Sequence, residues 1–404
     1  MIGQGYVGLT ITEGALRAGY EVLGFDINPR ILEGLSRAHS HIEGISEIVL
    51  QEGIRLGRFH VSDDASALDG SDVVVIAVPT PLDEQGKADL TPLRNASEVV
   101  GRALRQPALI INESTSFPGT LREIISPIVG KTGVLHRYAV SPERVDPGNA
   151  QYGTRNTPRV IGGLTKEARD EAASFYRGFC DHIVEVSSPE VAEAAKLFEN
   201  TFRFINIGLV NEFAQLMAKM GIPLDETLAA AATKPYGFMP FHPSAGIGGH
   251  CIPVDPFYLQ ERVKEFGLSS KYIQISDEVN TSMPMFVVDR LEQTIGKSVR
   301  GLKIQILGVT YKANIADTRE TPAAPVIQIL REKGASVSWH DPLVREWMGE
   351  HSSPLDVDAD LALVLACHSV LDLTSLGERP IYTINRFDDH PDWIPLMVVS
   401  KNQS

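Results

Sequence analysis

The first eight residues constrain this chain more than any other stretch. Gly3-Gln4-Gly5-Tyr6-Val7-Gly8 is a GxGxxG, and Asp26 follows eighteen residues after the last glycine, at the end of the strand-like run EVLGFDI. Glycines at this spacing permit a tight turn, let a pyrophosphate approach a helix N-terminus and allow close helix packing, while a carboxylate at that distance accepts ribose hydroxyls. The motif is weak alone, but its surroundings support it. Short β-branched runs at 21–27, 72–78 (DVVVIAV) and 108–112 (ALIIN) alternate with helix-like stretches at Leu9–Ala18 and Asp89–Leu104. That alternation predicts βαβ units and a parallel sheet. We therefore expect a dinucleotide at Gly3, Gly5, Gly8 and Asp26. Asp26 favours NAD over NADP, because it repels a 2′-phosphate, an effect that Arg30 tempers. The strand that should precede Gly3 has only Met1 and Ile2 to build it, so the expected NAD-binding domain, residues 1–187, either has a shortened start or lacks an edge of its nucleotide crevice.

The rest of the chain is long enough for further domains: 404 residues suggest two or three. Ser188–Met220 has no Pro or Gly besides Pro189, which opens a helix well, and Gly208. It reads as one helix, apolar nearly all round, of the kind buried between domains or subunits. Residues 188–290 are thus expected to form a central helical region. Strand-like runs return at Lys303–Val309, Ser336–Asp341 and Ala362–Ala366, so residues 291–404 read as a second α/β domain. The expected fold class is α/β, with two doubly wound (Rossmann-like) domains joined by a long central helix. With 37 basic against 51 acidic residues the net charge is −14, and no global basic field exists to collect nucleic acid or an anionic membrane. No apolar run approaches the ~18 residues of a membrane span. Cys180, Cys251 and Cys367 lie far apart, which suits a reducing compartment and a cytoplasmic protein. No metal is expected, since no second Cys or His stands near Cys251 at ligand spacing.

Several segments carry groups suited to chemistry. Val78-Pro79-Thr80-Pro81 and Glu113-Ser114-Thr115 each follow a strand-like run, where doubly wound sheets place ligand loops. Ser141-Pro142-Glu143-Arg144 offers a further carboxylate, although an exposed loop Glu is commonplace. Lys196 and Asn200 stand four apart on one face of the long helix, where a Lys can stabilise an alkoxide or form part of a solvated stripe. Gly246-Ile247-Gly248-Gly249-His250-Cys251-Ile252-Pro253-Val254-Asp255 surrounds a thiol with backbone N–H groups, a His and an Asp. Such surroundings activate a cysteine, although a small packing cysteine beside a turn is the commoner occurrence.

The nucleotide fingerprint, VPTP, SPER, EAAKLFEN, GGHCIPVDP and GVTYKANIADTRETP together resemble, in order and spacing, the UDP-glucose/GDP-mannose dehydrogenase family of nucleotide-sugar 6-dehydrogenases. Residues Ala232–Phe241 (ATKPYGFMPF), followed by GGHCIPVDPFYL, look most like its UDP-N-acetylglucosamine branch. The resemblance implies NAD-dependent four-electron oxidation of the C6 alcohol of a UDP-sugar to the uronic acid. It implies Cys251 as nucleophile, Lys196 and Asn200 at the oxygen that becomes negative, Asp255 beside the reacting carbon, and Thr115 and Glu143 placing the hydrolytic water. It further implies that Pro79, Thr80, Thr115 and Arg319 join the cofactor site, that Lys234, Phe241, Ser244, Gly248 and Lys312 approach the UDP-sugar, and that the chain forms a homodimer or higher homo-oligomer. Three positions depart from related patterns: Val254 replaces the Lys of the UDP-glucose enzymes, Pro147 replaces their second Glu, and Pro243-Ser244-Ala245-Gly246 replaces the PGPG of the acetylhexosamine branch. UDP-glucose, dTDP-glucose and UDP-N-acetylmannosamine remain alternative substrates. A one-step hydroxyacid dehydrogenase, or an inactive NAD-binding assembly or sensor protein, would also account for part of the pattern.

Overall fold

The computed structural model describes every residue except 84, 147–148, 150, 357, 372–375, 377–378 and 398–404. The chain divides into two compact units, Met1–Glu199 with Phe257–Leu268, and Asn200–Pro256 with Ser269–Ser404.

The first unit contains strands β1 (Val22–Phe25), β2 (Phe59–Ser62), β3 (Val73–Ile76), β4 (Leu109–Asn112), β5 (Arg137–Val140), β6 (Arg159–Gly163) and β7 (Ile183–Glu185). Its helices are α1 (Tyr6–Arg17), α2 (Pro29–Ser36), α3 (Glu47–Arg55), α4 (Thr91–Ala103), α5 (Ser126–Val129) and α6 (Lys166–Arg177). Strands β3 to β7 lie side by side in chain order, parallel except where β5 meets β6, and β1 pairs in parallel with β2. Residues 1–3 stand between β1 and β3. Ile2 bridges to both Phe25 and Ile76, and its N–H and C=O bond Val75 O and Ala77 N, each at 2.8 Å. Gly3 N donates to Phe25 O on the other side, also at 2.8 Å. Met1 O accepts Phe25 N at 2.8 Å as well, so residues 1–3 tie β1 to β3, and Ile2 is buried at the join.

The second unit is built on a parallel sheet in the order β14-β13-β12-β8-β9. Its strands are β8 (Lys303–Leu307), β9 (Ser336–His340), β12 (Leu361–Val364), β13 (Ile381–Thr383) and β14 (Ile394–Pro395), with β10 (Glu346–Trp347) and β11 (Glu350–His351) forming a small antiparallel pair. Central strand β12 is buried throughout and β8 everywhere but Lys303, as expected for an α/β sheet covered on both faces. The remaining helices are α7 (Pro189–Met220), α8 (Leu224–Ala232), α9 (Asp255–Lys264), α10 (Lys271–Ile295) and α11 (Ala323–Glu332).

Helix α7 has the length its sequence predicts, but its apolar residues are not all buried in the single chain. Phe202, Leu209, Phe213, Leu216 and Met220, spaced 7, 4, 3 and 4 apart, are 43–58% exposed. This spacing puts them on one face. On another side, α7 packs against α10 through Gly208, where a Cβ would stand 2.9 Å from that of Ser276. Asn211 donates to Asn280 across the same contact at 2.9 Å. The one interior glycine of the long helix is there for close approach. Among the described residues no helix is long and apolar enough to cross a membrane.

Candidate active site

In the first unit, each glycine of the opening turn has a separate job. Gly3 has φ +85° and a Cβ there would lie 2.4 Å from Ala77 O; a Cβ on Gly8 would lie 1.9 Å from Gly3 O. Gly5, the N-cap of α1, has nothing within 4 Å of its would-be Cβ, and no side chain caps the helix. The free amides and the open space at that end suit an anionic pyrophosphate. Asp26 holds the turn from the end of β1, its Oδ2 accepting Gln4 N at 2.7 Å and its Oδ1 accepting Asn28 N at 2.9 Å. Each oxygen keeps lone-pair capacity for a ribose hydroxyl, so the residues present fit NAD. Asn28 caps α2 by accepting Arg30 N at 3.0 Å, and the Arg30 side chain is exposed. Pro79 is exposed and Thr80 buried after β3; the strand end is tied to that of β4 where Val78 N donates to Ser114 Oγ at 2.9 Å. The next residue, Thr115, is half-buried.

Glu143 is not the exposed loop carboxylate its sequence context suggests. It is 9% exposed, accepts Arg144 N and Val145 N at 2.7 and 2.8 Å, and takes Arg159 Nη2 at 3.2 Å. Burial alone would raise its pKa, but Arg159, the two amides and Lys196 outweigh it and hold the carboxyl below its ordinary range. Glu143 and Lys196 are therefore within electrostatic reach of one another. Pro147 lies outside the described residues.

In the second unit, the thiol of Cys251 is exposed and free of any disulfide. Asp255 N and Val254 N donate to Cys251 O at 2.8 and 3.2 Å, so the turn from 251 to 255 keeps thiol and carboxylate one turn apart. Asp255 is 1% exposed, and Asn200 Nδ2 donates to its Oδ2. The glycines before Cys251 press against the following domain segment: a Cβ on Gly248 would meet Tyr311 Cβ at 2.6 Å and Glu320 O at 2.8 Å, and Gly249, with φ +89°, donates its N–H to Arg319 O at 3.0 Å. This seats the segment bearing Tyr311, Lys312 and Arg319 beside the thiol loop. Arg319 pairs with Asp317 at 2.6 Å, and its pKa is raised chiefly by Asp317 and further by Cys251. The Arg319 guanidinium is thus within electrostatic reach of the Cys251 thiol. His250 is pushed the other way, its pKa lowered by burial and then by Arg319, so it is neutral near pH 7.

Of the other expected residues, Ser244 is locked by Asn211, which accepts Ser244 N at 2.9 Å, and Phe241 meets Phe202 edge-on at 6.0 Å. Lys234 is exposed, its ammonium 5.0 Å from the Tyr236 ring centre. Pro240, His242 and Pro243 of the same loop line a cavity of about 950 Å³ with Arg290, Asn385 and Arg386. Asp225, Glu226 and Asp388 line it too, and Asp225 pairs with Arg386 at 3.1 Å, so its lining carries both signs of charge. Sequence reasoning placed Glu113 only at the start of a strand-end loop and missed two other buried charges of the first unit, Arg159 and Glu193. Arg159 and Glu113 are ion-paired to one another, and Glu193 on α7 accepts Gly119 N and Leu121 N at 2.7 and 3.0 Å. The available signal was a charged residue inside an apolar strand or helix, which is costly unless paired.

Residues 1–180 match the NAD binding domain of the UDP-glucose/GDP-mannose dehydrogenase family, 190–282 its central domain and 305–375 its UDP binding domain. The chain is 36% identical to the UDP-N-acetyl-D-glucosamine 6-dehydrogenase of Pseudomonas aeruginosa, over 85% of this chain and 82% of that protein. It is 35% identical to the UDP-N-acetyl-D-mannosamine dehydrogenase of Pyrococcus horikoshii, over 87% and 84%. A solved structure of a UDP-D-ManNAc dehydrogenase from Pyrococcus horikoshii superposes with a TM-score of 0.85 at 32% identity, covering 95% of this chain and 94% of that one. A two-sheet α/β fold with a long helix, a nucleotide turn fit for NAD and three successive family domains agree: the chain belongs to the UDP-glucose/GDP-mannose dehydrogenase family and is an NAD-dependent nucleotide-sugar dehydrogenase.

Proposed function

We propose that the chain oxidises the C6 primary alcohol of UDP-N-acetylglucosamine to the uronic acid in two two-electron steps, holding the intermediate on Cys251. The observation that carries this reading is the Cys251 turn: an exposed thiol with Asp255 one turn on, Asn200 bonded to Asp255, and Arg319 within electrostatic reach. Bound NAD supplies the hydride acceptor for each oxidation. Lys196 and Asn200, one turn apart on α7, stabilise the oxygen that carries negative charge, in the alkoxide and again in the tetrahedral species on sulfur. The Cys251 thiolate adds to the aldehyde carbon to give a thiohemiacetal, and removal of its hydride leaves a thioester. Thr115 and Glu143 place the water that releases the acid, Glu143 taking its proton and Cys251 leaving as thiolate. Lys234, Phe241, Ser244, Gly248 and Lys312 hold the UDP-sugar, and Pro79, Thr80 and Arg30 border the cofactor.

The choice of sugar rests on the loop from Ala232 to Phe241 and on the 36% identity to the Pseudomonas aeruginosa enzyme. UDP-N-acetylmannosamine is the second reading, favoured by the Pyrococcus horikoshii relative at 35%. NADH production and uronic acid are measured for UDP-N-acetylglucosamine, UDP-N-acetylmannosamine, UDP-glucose and dTDP-glucose. We expect two NADH per acid and the highest kcat/KM with UDP-N-acetylglucosamine; faster turnover of the mannosamine epimer transfers the assignment to it, and one NADH per product removes the thioester. The exposed apolar face of α7 supports a homodimer formed through that helix.

A further inference from the structure

Given the assignment of Glu143 to the hydrolytic water, we propose that Glu113 is a positioning residue for it, acting through the guanidinium of Arg159 that the two carboxylates share. Arg159 opens β6, an otherwise apolar strand, and its side chain is 4% exposed. Its Nη1 donates to Glu113 Oε1 and, at 3.1 Å, to Ser141 Oγ; its Nη2 donates to Glu143 Oε2 at 3.2 Å. Its guanidinium lies 4.6 Å from the Tyr176 ring centre, and the Tyr176 hydroxyl donates to the same Glu113 oxygen. The arrangement is unequal. Glu143 adds two backbone amides to its share of Arg159, whereas Glu113, with a fully buried side chain, has an Oε2 with no hydrogen-bond partner among the described residues.

Two carboxylates on one buried cation cannot both ionise cheaply, so the pair loses its protons in two separated steps. The better-served Glu143 ionises first. Glu113 follows: burial, with a contribution from the Glu143 charge, pushes it up to about 7 against the pull of Arg159 and Tyr176. The other groups facing the cluster come from three helices. Tyr176 of α6 is held well above its ordinary range by burial and Glu113, so it stays a donor. Cys180, just beyond α6, senses Arg159 and both carboxylates. Lys196 of α7 faces Glu143, as does Tyr6 of α1, whose phenol is raised by burial, Glu143 and Asp146.

The consequence for hydrolysis has a definite sign. Below neutrality Glu113 is uncharged and the field of Arg159 acts on Glu143 alone, which makes it a weak base. Above neutrality the ionised Glu113 competes for Arg159, the proton affinity of Glu143 rises, and it draws a proton from water more readily. No proton passes between the carboxyls; the coupling is electrostatic.

Two measurements on the full chain test this. In infrared titration, done throughout in the Glu193→Gln background to remove the other carboxyl pushed up to about 7, a carboxylic-acid C=O band should be lost as pH rises through about 7. The band should be absent in Glu113→Gln. It should titrate lower by about one unit or more in Glu143→Gln, where Arg159 serves a single carboxylate. Should Glu113→Gln fail to fold, Tyr176→Phe removes one donor from Glu113 and should move the band to higher pH. In the second measurement, hydrolysis of the acylated Cys251 is followed by quench and intact mass. Its rate should step up across neutral pH in wild type and not in Glu113→Gln. A band that survives in Glu113→Gln, a midpoint unmoved in Glu143→Gln, or an unchanged rate step in Glu113→Gln each overturns the proposal. If Glu143→Gln hydrolyses the acyl-enzyme like wild type while the infrared coupling holds, the role of Glu143 falls and the coupling stands.

Discussion

Replacing Gly5 or Gly8 by Ala adds the same methyl group three residues apart and should damage different properties. At Gly8 the new Cβ would lie 1.9 Å from Gly3 O and 2.9 Å from Gly3 C, both backbone atoms that no rotamer change can move. Overpacking of this kind costs about 3 kcal/mol or more. At roughly 2–4 °C per kcal/mol for a unit of this size, the first unit should melt about 6–12 °C lower. At Gly5 the Cβ meets nothing within 4 Å, and the loss is that of an N-cap preference, about 0.5–1 kcal/mol. That methyl stands where the pyrophosphate must approach the end of α1, so NAD affinity should fall at least about tenfold, or ~1.4 kcal/mol. Differential scanning calorimetry without ligand and titration calorimetry with NAD separate the two effects. If Gly5→Ala binds NAD like wild type while Gly8→Ala melts like wild type, the division of labour among the three glycines is wrong.

Three further outcomes are expected. Cys251→Ala should bind NAD and UDP-sugar but form no uronic acid above about one-thousandth of the wild-type rate, a barrier increase of about 4 kcal/mol; near wild-type acid production, read by chromatography, would reduce Cys251 to a packing residue. Phe213→Glu places a charge in the exposed apolar face of α7 and should shift sedimentation from dimer to monomer; an unchanged sedimentation coefficient would remove that face as the interface. Glu113 and Glu193 both have folded pKa values pushed up to about 7, above the ordinary carboxyl value, so the folded state binds more protons between about 4.5 and 7. Stability should therefore fall as pH rises through that window, by up to roughly 3 kcal/mol for each group, and level off above it. Urea unfolding of Glu113→Gln should show a visibly shallower fall; an equal slope would mean that Glu113 is not the group concerned.

What the sequence determined by itself was whatever is periodic or local. The βαβ rhythm, the two α/β regions, the extent of the long helix from Pro189 and the glycine turn were all legible, because a strand, a helix and a tight turn are each specified by neighbours within a few residues. That Ile2 bridges β1 and β3 was not legible, because it depends on two strands whose sequences lie 20 and 70 residues away. Tertiary structure decided the electrical state of the residues singled out. Glu143 resembled an ordinary loop carboxylate until folding brought Arg159, sixteen residues on, against it. Asp255 likewise acquired Asn200 from a distance of 55 residues. Arg159, Tyr176 and Glu193 carried no motif at all, and Glu113 was marked only by its place at a strand end. A side chain's charge is written in the sequence, but its pKa depends on burial and on partners from other elements, and those exist only once the elements have packed.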